Sequence, residues 1–128
     1  MVQVVRSLTG ITVLVVEDDP LIAADVVGTL QSAGAEVVGP GGSVSEAMRL
    51  MDLHPFDVAL LDFRLGRETS RPIAERLEVQ SQTFFFHCGS CEEVAQAFPG
   101  VMVVGKPSQP KSIITAVQTL SAGRARPH

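Results

Sequence analysis

Four apolar residues, Val58-Ala59-Leu60-Leu61, run unbroken between Asp57 and Asp62. Pro55 stands before the run and Gly66 after it. A short apolar run bounded by breakers predicts a strand covered on both faces, as the strands of parallel sheets are. That requirement narrows the fold sharply, because such a strand needs helices above and below it. In open parallel sheets the ligand crevice lies outside the carboxyl ends of the strands. Asp62 therefore falls at the edge where chemistry is done, with the rest of its strand buried behind it.

The remaining chain supplies the layers. Thr12–Val16 predicts a first buried strand that stops abruptly at Glu17-Asp18-Asp19. Pro20 opens a helix running to about Ser32, closed by Gly34. A short strand over 35–39 precedes Ser43-Val44-Ser45-Glu46, a capping box that starts the next helix through Ala47, Leu50 and Met51. After the Asp62 strand, a polar loop with Gly66 leads to a helix over about 70–80. The aromatic run Thr83–His87 predicts a fourth strand, with a turn over 88–92 and a short helix from Glu93 to Phe98. Val101–Gly105 predicts a fifth strand, and Pro110 opens a last helix whose apolar face is Ile113, Ile114, Val117 and Leu120. Strand and helix alternate five times, and right-handed crossovers turn that order into a doubly wound three-layer α/β/α sandwich. The expected sheet is five-stranded and parallel.

With 128 residues the chain suits one domain, 1–128, with a core over about 10–122, a loose lead-in and a frayed basic tail over 123–128. A net charge of −4 argues against nucleic acid as a direct partner. No apolar run approaches the length a membrane span requires, and the start lacks a signal-peptide pattern. Two cysteines make no disulfide framework, so the cytoplasm is the expected compartment.

The polar groups gather at three strand ends: Glu17, Asp18 and Asp19 after the first, Asp62 after the third, and Lys106-Pro107 after the fifth. Clustered carboxylates repel one another unless a cation sits among them. Hard oxygen ligands favour Mg²⁺, and a lysine adds a point charge suited to a phosphate oxygen. Those groups around one nucleophilic aspartate point to phosphoryl transfer onto a carboxylate.

Val13-Leu14-Val15-Val16-Glu17-Asp18-Asp19, Asp57-Val58-Ala59-Leu60-Leu61-Asp62 and Lys106-Pro107, in that order at those strand ends, resemble the receiver domain of bacterial two-component response regulators. The loop from Gly66 to Ala74 resembles that of small, often stand-alone receivers. The resemblance implies a flavodoxin-like sheet of strand order 2-1-3-4-5, with Asp62 as the phospho-acceptor, supplied by a sensor histidine kinase or a phosphotransfer protein. It makes Asp62 and Asp18 direct Mg²⁺ ligands, Glu17 a ligand through water, and Arg64 a ligand through its backbone carbonyl. Lys106 would bind the phosphoryl group, and its peptide bond to Pro107 would be cis. An unidentified protein would read the switched state, and a homodimer stays open. Such a module phosphorylates and dephosphorylates itself but is not an enzyme with an outside substrate.

Two positions depart from the family. Cys88, followed by the usual small residue Gly89, stands where a Thr or Ser hydroxyl normally meets the phosphoryl group, and a thiol is a weak donor. Val103 stands where a switching aromatic is usual. They support an alternative, a receiver-like docking module that works without phosphate. Cys88-Gly89-Ser90-Cys91 also has the layout of a thiol redox motif, and its spacing permits a disulfide. Its place after a fourth strand favours no redox role, and mild oxidation is expected to leave phosphorylation unchanged. Asp19 is expected to cap the Pro20 helix rather than bind metal, and His87 to be a strand residue with a satisfied hydrogen bond.

Overall fold

The computed structural model describes residues 7–122. Residues 1–6 of the lead-in and the expected frayed tail over 123–128 lie outside the described residues. In chain order the elements are β1 (Thr12–Val16), α1 (Pro20–Ser32), β2 (Glu36–Gly41), α2 (Val44–Leu53), β3 (Val58–Leu61), β4 (Arg64–Leu65), β5 (Glu68–Thr69), α3 (Arg71–Val79), β6 (Thr83–Cys88), α4 (Cys91–Ala97), β7 (Val103–Gly105) and α5 (Pro110–Leu120). Five strands form one sheet in the order β2-β1-β3-β6-β7, every neighbouring pair parallel. β4 and β5 are a separate two-residue hairpin, so the five-stranded order is the expected one once they are set aside.

Alternation along each strand divides the core into two layers. Leu14, Val16, Ala59, Leu61, Phe84 and Phe86 face Ala47 and Met51 of α2, Ile73 and Leu77 of α3, and Val94 of α4. Val13, Val15, Val58, Leu60 and Phe85 face Val26 and Leu30 of α1 and Ile113 and Val117 of α5. Successive side chains of a strand point to opposite faces, so a wholly apolar strand fills both layers. The three adjacent phenylalanines follow this rule, Phe85 on one face and Phe84 and Phe86 on the other.

Local chemistry sets the helix starts. Asp19 accepts from the Leu21 and Ile22 N–H groups at 2.9 and 3.2 Å, capping α1 ahead of Pro20. Ser43 accepts from Glu46 N–H at 3.1 Å, and Glu46 reaches back to Gly42 N–H at 2.6 Å. Among the described residues no helix is long and apolar enough to cross a membrane.

Several boundaries differ from expectation. The end of the lead-in is held, not loose: Leu8 is fully buried and its N–H donates to the Ala33 carbonyl at 2.8 Å. β2 runs on to Gly41 across a cis Gly39–Pro40 bond; Gly39 adopts φ +107°, and a side chain there would strike the Val15 carbonyl. α4 begins at Cys91, two residues earlier than expected. β7 begins at Val103, because the Val101 N–H is already taken by the Phe98 carbonyl in the preceding turn.

Candidate functional site

Backbone bonds bring three strand ends to one point. The Glu17 N–H donates to the Gly41 carbonyl at 2.9 Å, holding the residue after β1 against the end of β2. The Asp62 N–H donates to the Val16 carbonyl at 2.9 Å, which continues the β1–β3 ladder by one residue and sets Asp62 beside Glu17. The Lys106 N–H donates to the Cys88 carbonyl at 2.8 Å, fixing the residue after β7 against the end of β6. The Lys106–Pro107 peptide bond is cis.

The side chains then meet. Lys106 Nζ lies 2.8 Å from Glu17 Oε1 and 3.2 Å from Asp62 Oδ2, so one ammonium bridges two buried carboxylates. Burial pushes the Asp62 carboxyl up to about 7, helped by the hydrogen bond and charge of Glu17 and opposed by Lys106. Burial alone would lower Lys106, but Glu17 and Asp62 outweigh it and hold the ammonium above its ordinary value. Asp18 is exposed, and its Oδ2 accepts the Gly66 N–H at 2.9 Å, tying the β1–α1 turn to the β4–β5 hairpin. Glu17, Asp18 and Asp62 each offer a carboxylate oxygen, all within 4.8 Å of one another. Three carboxylates gather here and Lys106 pairs with only two of them, so the unmatched negative charge on hard oxygen donors suits a small divalent cation.

These groups line a cleft of about 410 Å³ whose wall also includes Arg64, Cys88, Gly89 and Glu93. The Arg64 side chain turns outward to pair with Glu93 of α4 at 2.7 Å. Cys88 closes β6 and is buried at the cleft, while Gly89 is exposed. Cys88 and Cys91 are joined in a disulfide, the bond that their spacing permits. Both sulfurs sit on one turn, with the two Cα atoms 5.5 Å apart. Val103 is half-buried beside Phe86 in the sheet and packs against the core layer under α4; it carries no ring. His87 departs in part from expectation: Nε2 lies 3.0 Å from Ser108 Oγ, but buried Nδ1 has no hydrogen-bond partner among the described residues.

Sequence reasoning left out the parts that Gly41 and Gly66 play in holding Glu17 and Asp18, and the ion pair of Glu93 with the Arg64 side chain. Gly66 carried a signal, being a loop glycine, and it adopts φ +63°. Its bond to Asp18 spans 48 positions and is set by the tertiary fold alone.

No family model matches the chain. The transcriptional regulatory protein PdtaR of Mycobacterium tuberculosis is 38% identical over 55 residues, which is 43% of this chain and 27% of PdtaR. The chain thus spans about a quarter of that curated relative. The solution structure of the receiver domain of the PhyR response regulator from Erythrobacter litoralis superposes with a TM-score of 0.82 at 20% identity, covering 94% of this chain and 96% of that one. SdrG from Sphingomonas melonis superposes with a TM-score of 0.76 at 33% identity, covering 89% of this chain and 97% of SdrG.

Proposed function

Because the chain belongs to the receiver family of response regulators, we infer that it is a phosphorylation-switched signalling module with Asp62 as acceptor. The observation that carries this is the buried Asp62 carboxylate at the end of β3, 3.2 Å from Lys106 Nζ and within 4.8 Å of Glu17 and Asp18 oxygens. Asp62 attacks the phosphorus of a phosphohistidine on a histidine kinase or phosphotransfer protein; an O–P bond forms as the P–N bond breaks. Lys106 neutralises the incoming charge and favours the ionised nucleophile. Asp62 and Asp18 would hold Mg²⁺ directly, Glu17 through water and Arg64 by its backbone carbonyl. When bound, the ion would supply positive charge that offsets the carboxylates and the incoming phosphoryl group. The module phosphorylates itself, has no outside substrate, works in the cytoplasm and passes its state to a downstream protein.

Incubation with acetyl phosphate and Mg²⁺ should add one phosphate by intact mass, and Asp62→Asn should add none. A persistent adduct on that variant would refute the assignment. A second reading, docking without phosphate, has two observations in its favour: the Cys88 side chain is bonded to Cys91, and Val103 has no ring to move. Beryllofluoride with Mg²⁺ separates them, since docking alone predicts no one-site adduct.

A further inference from the structure

The turn between β6 and α4 carries a chemistry that phosphoryl transfer does not use. Cys88 and Cys91 are the two cysteines of the sequence, and they are bonded to each other at the rim of the acceptor cleft. From their positions, and against the expectation from sequence that oxidation leaves phosphorylation unchanged, we propose that they form a reversible two-electron thiol–disulfide site, whose reagent is a low-molecular-weight disulfide, and that its oxidation state sets how well the cleft accepts a phosphoryl group. The second half of this proposal rests on Asp62 being the acceptor.

The two sulfurs differ in access. Cys88 is buried, whereas Cys91 is half-buried at the first turn of α4, reached past exposed Gly89 and Ser90. Cys91 is therefore the sulfur that meets an external reagent. Starting from the dithiol, the Cys91 thiolate attacks one sulfur of the small disulfide, forming a mixed disulfide and expelling one thiolate. The Cys88 thiolate then attacks Cys91 Sγ and expels the second. Two electrons pass from the cysteine sulfurs to the reagent, and the two thiol protons end on the two small thiols. With Cα atoms 5.5 Å apart, the fold already holds both residues within bonding reach. In a reducing compartment an oxidised pair of this kind belongs with reactive sites rather than staples.

The consequence for the cleft is direct. As a thiol, Cys88 offers a weak donor at the end of β6 and a side chain not tied to α4. As a disulfide it has no S–H, and its sulfur is bound to α4. The same residue accepts the Lys106 N–H through its carbonyl, and Cys91 Sγ lies close to Gly105, just before Lys106. Oxidation thus stiffens the turn against which the phosphate-binding lysine is set.

The test uses the full chain equilibrated with glutathione disulfide or with dithiothreitol. Alkylation and intact mass count free thiols, and acetyl phosphate with Mg²⁺ then measures the labelling rate of each form. The expected counts are zero and two, interconverting reversibly, with the oxidised form labelled about threefold more slowly or worse. Cys91→Ser, which cannot close the bond, should keep the rate of the reduced form under both conditions. Two free thiols after glutathione disulfide, or equal rates in the two forms, overturns the proposal. A slowing that persists in Cys91→Ser also overturns it, by placing the effect elsewhere. Labelling in neither form overturns the acceptor reading and the regulatory half with it. The thiol count is blind to phosphate and keeps that failure distinct from failure of the couple.

Discussion

The carboxyl edge of the sheet has two halves built on different principles. On the β1–β3 side, Glu17 and Asp62 are fixed by backbone bonds to Gly41 and Val16 and share one ammonium. On the β6–β7 side, Cys88 is bonded to Cys91, Val103 packs into the core layer, and α4 is seven residues long with no side-chain cap. Accepting a charge needs electrostatic preorganisation, which strand register and one lysine provide. Relaying it needs side chains with two alternative packings, because a ligand shifts an equilibrium only by its different affinity for the two states. A tied sulfur and a valine offer few alternatives. The two capacities are physically separable: in this chain the carboxylate–lysine cluster is assembled, while the β6–β7 side carries a tied sulfur and a valine.

The largest effect should come from the acceptor side. Lys106→Met leaves two buried carboxylates facing each other, and removing one partner of a buried pair costs about 3 kcal/mol. Urea denaturation at neutral pH without divalent cation should show that loss, with acetyl phosphate labelling nearly abolished. A loss under about 1 kcal/mol would mean that solvent already screens the site, and the contrast between the halves would weaken.

The second test asks whether the other half can be re-equipped. A hydrogen bond to a charged acceptor is worth roughly 1.5–3 kcal/mol, and a thiol recovers only part of it. In the wild type, beryllofluoride with Mg²⁺ should shift amide signals mainly around Asp62 and Cys88. Cys88→Thr should strengthen the grip on the anion, and adding Val103→Tyr should carry shifts along α5. Large wild-type shifts around Val103 would contradict this account.

Smaller, but opposite in sign, is the response of the two halves to pH. Asp62 is pushed up to about 7 from an ordinary 3.8, so the folded protein keeps a proton that the unfolded chain releases. Its contribution to stability is full below 3.8 and is lost as pH rises through about 7. Burial and then the charge of Lys106 hold His87, the residue before Cys88, below its ordinary 6.5. There the unfolded chain takes up the proton first, so stability is full above 6.5 and is lost as pH falls below it. Denaturation across about pH 5 to 8 without divalent cation should show both slopes. Asp62→Asn should remove the decline with rising pH, and His87→Gln the decline with falling pH. If either substitution left its slope unchanged, that group would not be the one titrating.

The sequence carried the acceptor half well and the other half poorly, for physical reasons. Strand ends are legible because burial on both faces leaves an apolar run, and the polar residue that follows must lie at the edge. Hence the buried parallel strands, and the meeting of Glu17, Asp18, Asp62 and Lys106 at one edge, are foreshadowed by Val13–Val16, Val58–Leu61 and the run before Lys106. The β4–β5 hairpin was not legible, because two-residue strands have no measurable period. Leu8 was missed because a single apolar residue in a polar stretch has no pattern, although it fills the layer under α1. The state of Cys88 and Cys91 was the least legible: spacing permits a bond, but only the turn that brings them together makes one.

The smallest effect expected is at the contact that spans the two halves. Arg64, at the start of the β4–β5 hairpin, pairs with Glu93 of α4 at 2.7 Å, and its guanidinium lies 6.0 Å from the Phe63 ring centre. The side chains are 64% and 50% exposed, so water screens the pair and ordering two long side chains offsets much of the attraction. Arg64→Ala should therefore change stability by less than about 0.5 kcal/mol, and raising salt should erase even that. Acetyl phosphate labelling should also hold, since a backbone carbonyl at position 64 survives the substitution. If Arg64→Ala instead slows labelling severalfold and shifts the amide signals of α4, then this exposed pair couples the acceptor to α4 across the cleft. The two halves would then be joined by surface charge rather than by the packed switch that Val103 lacks.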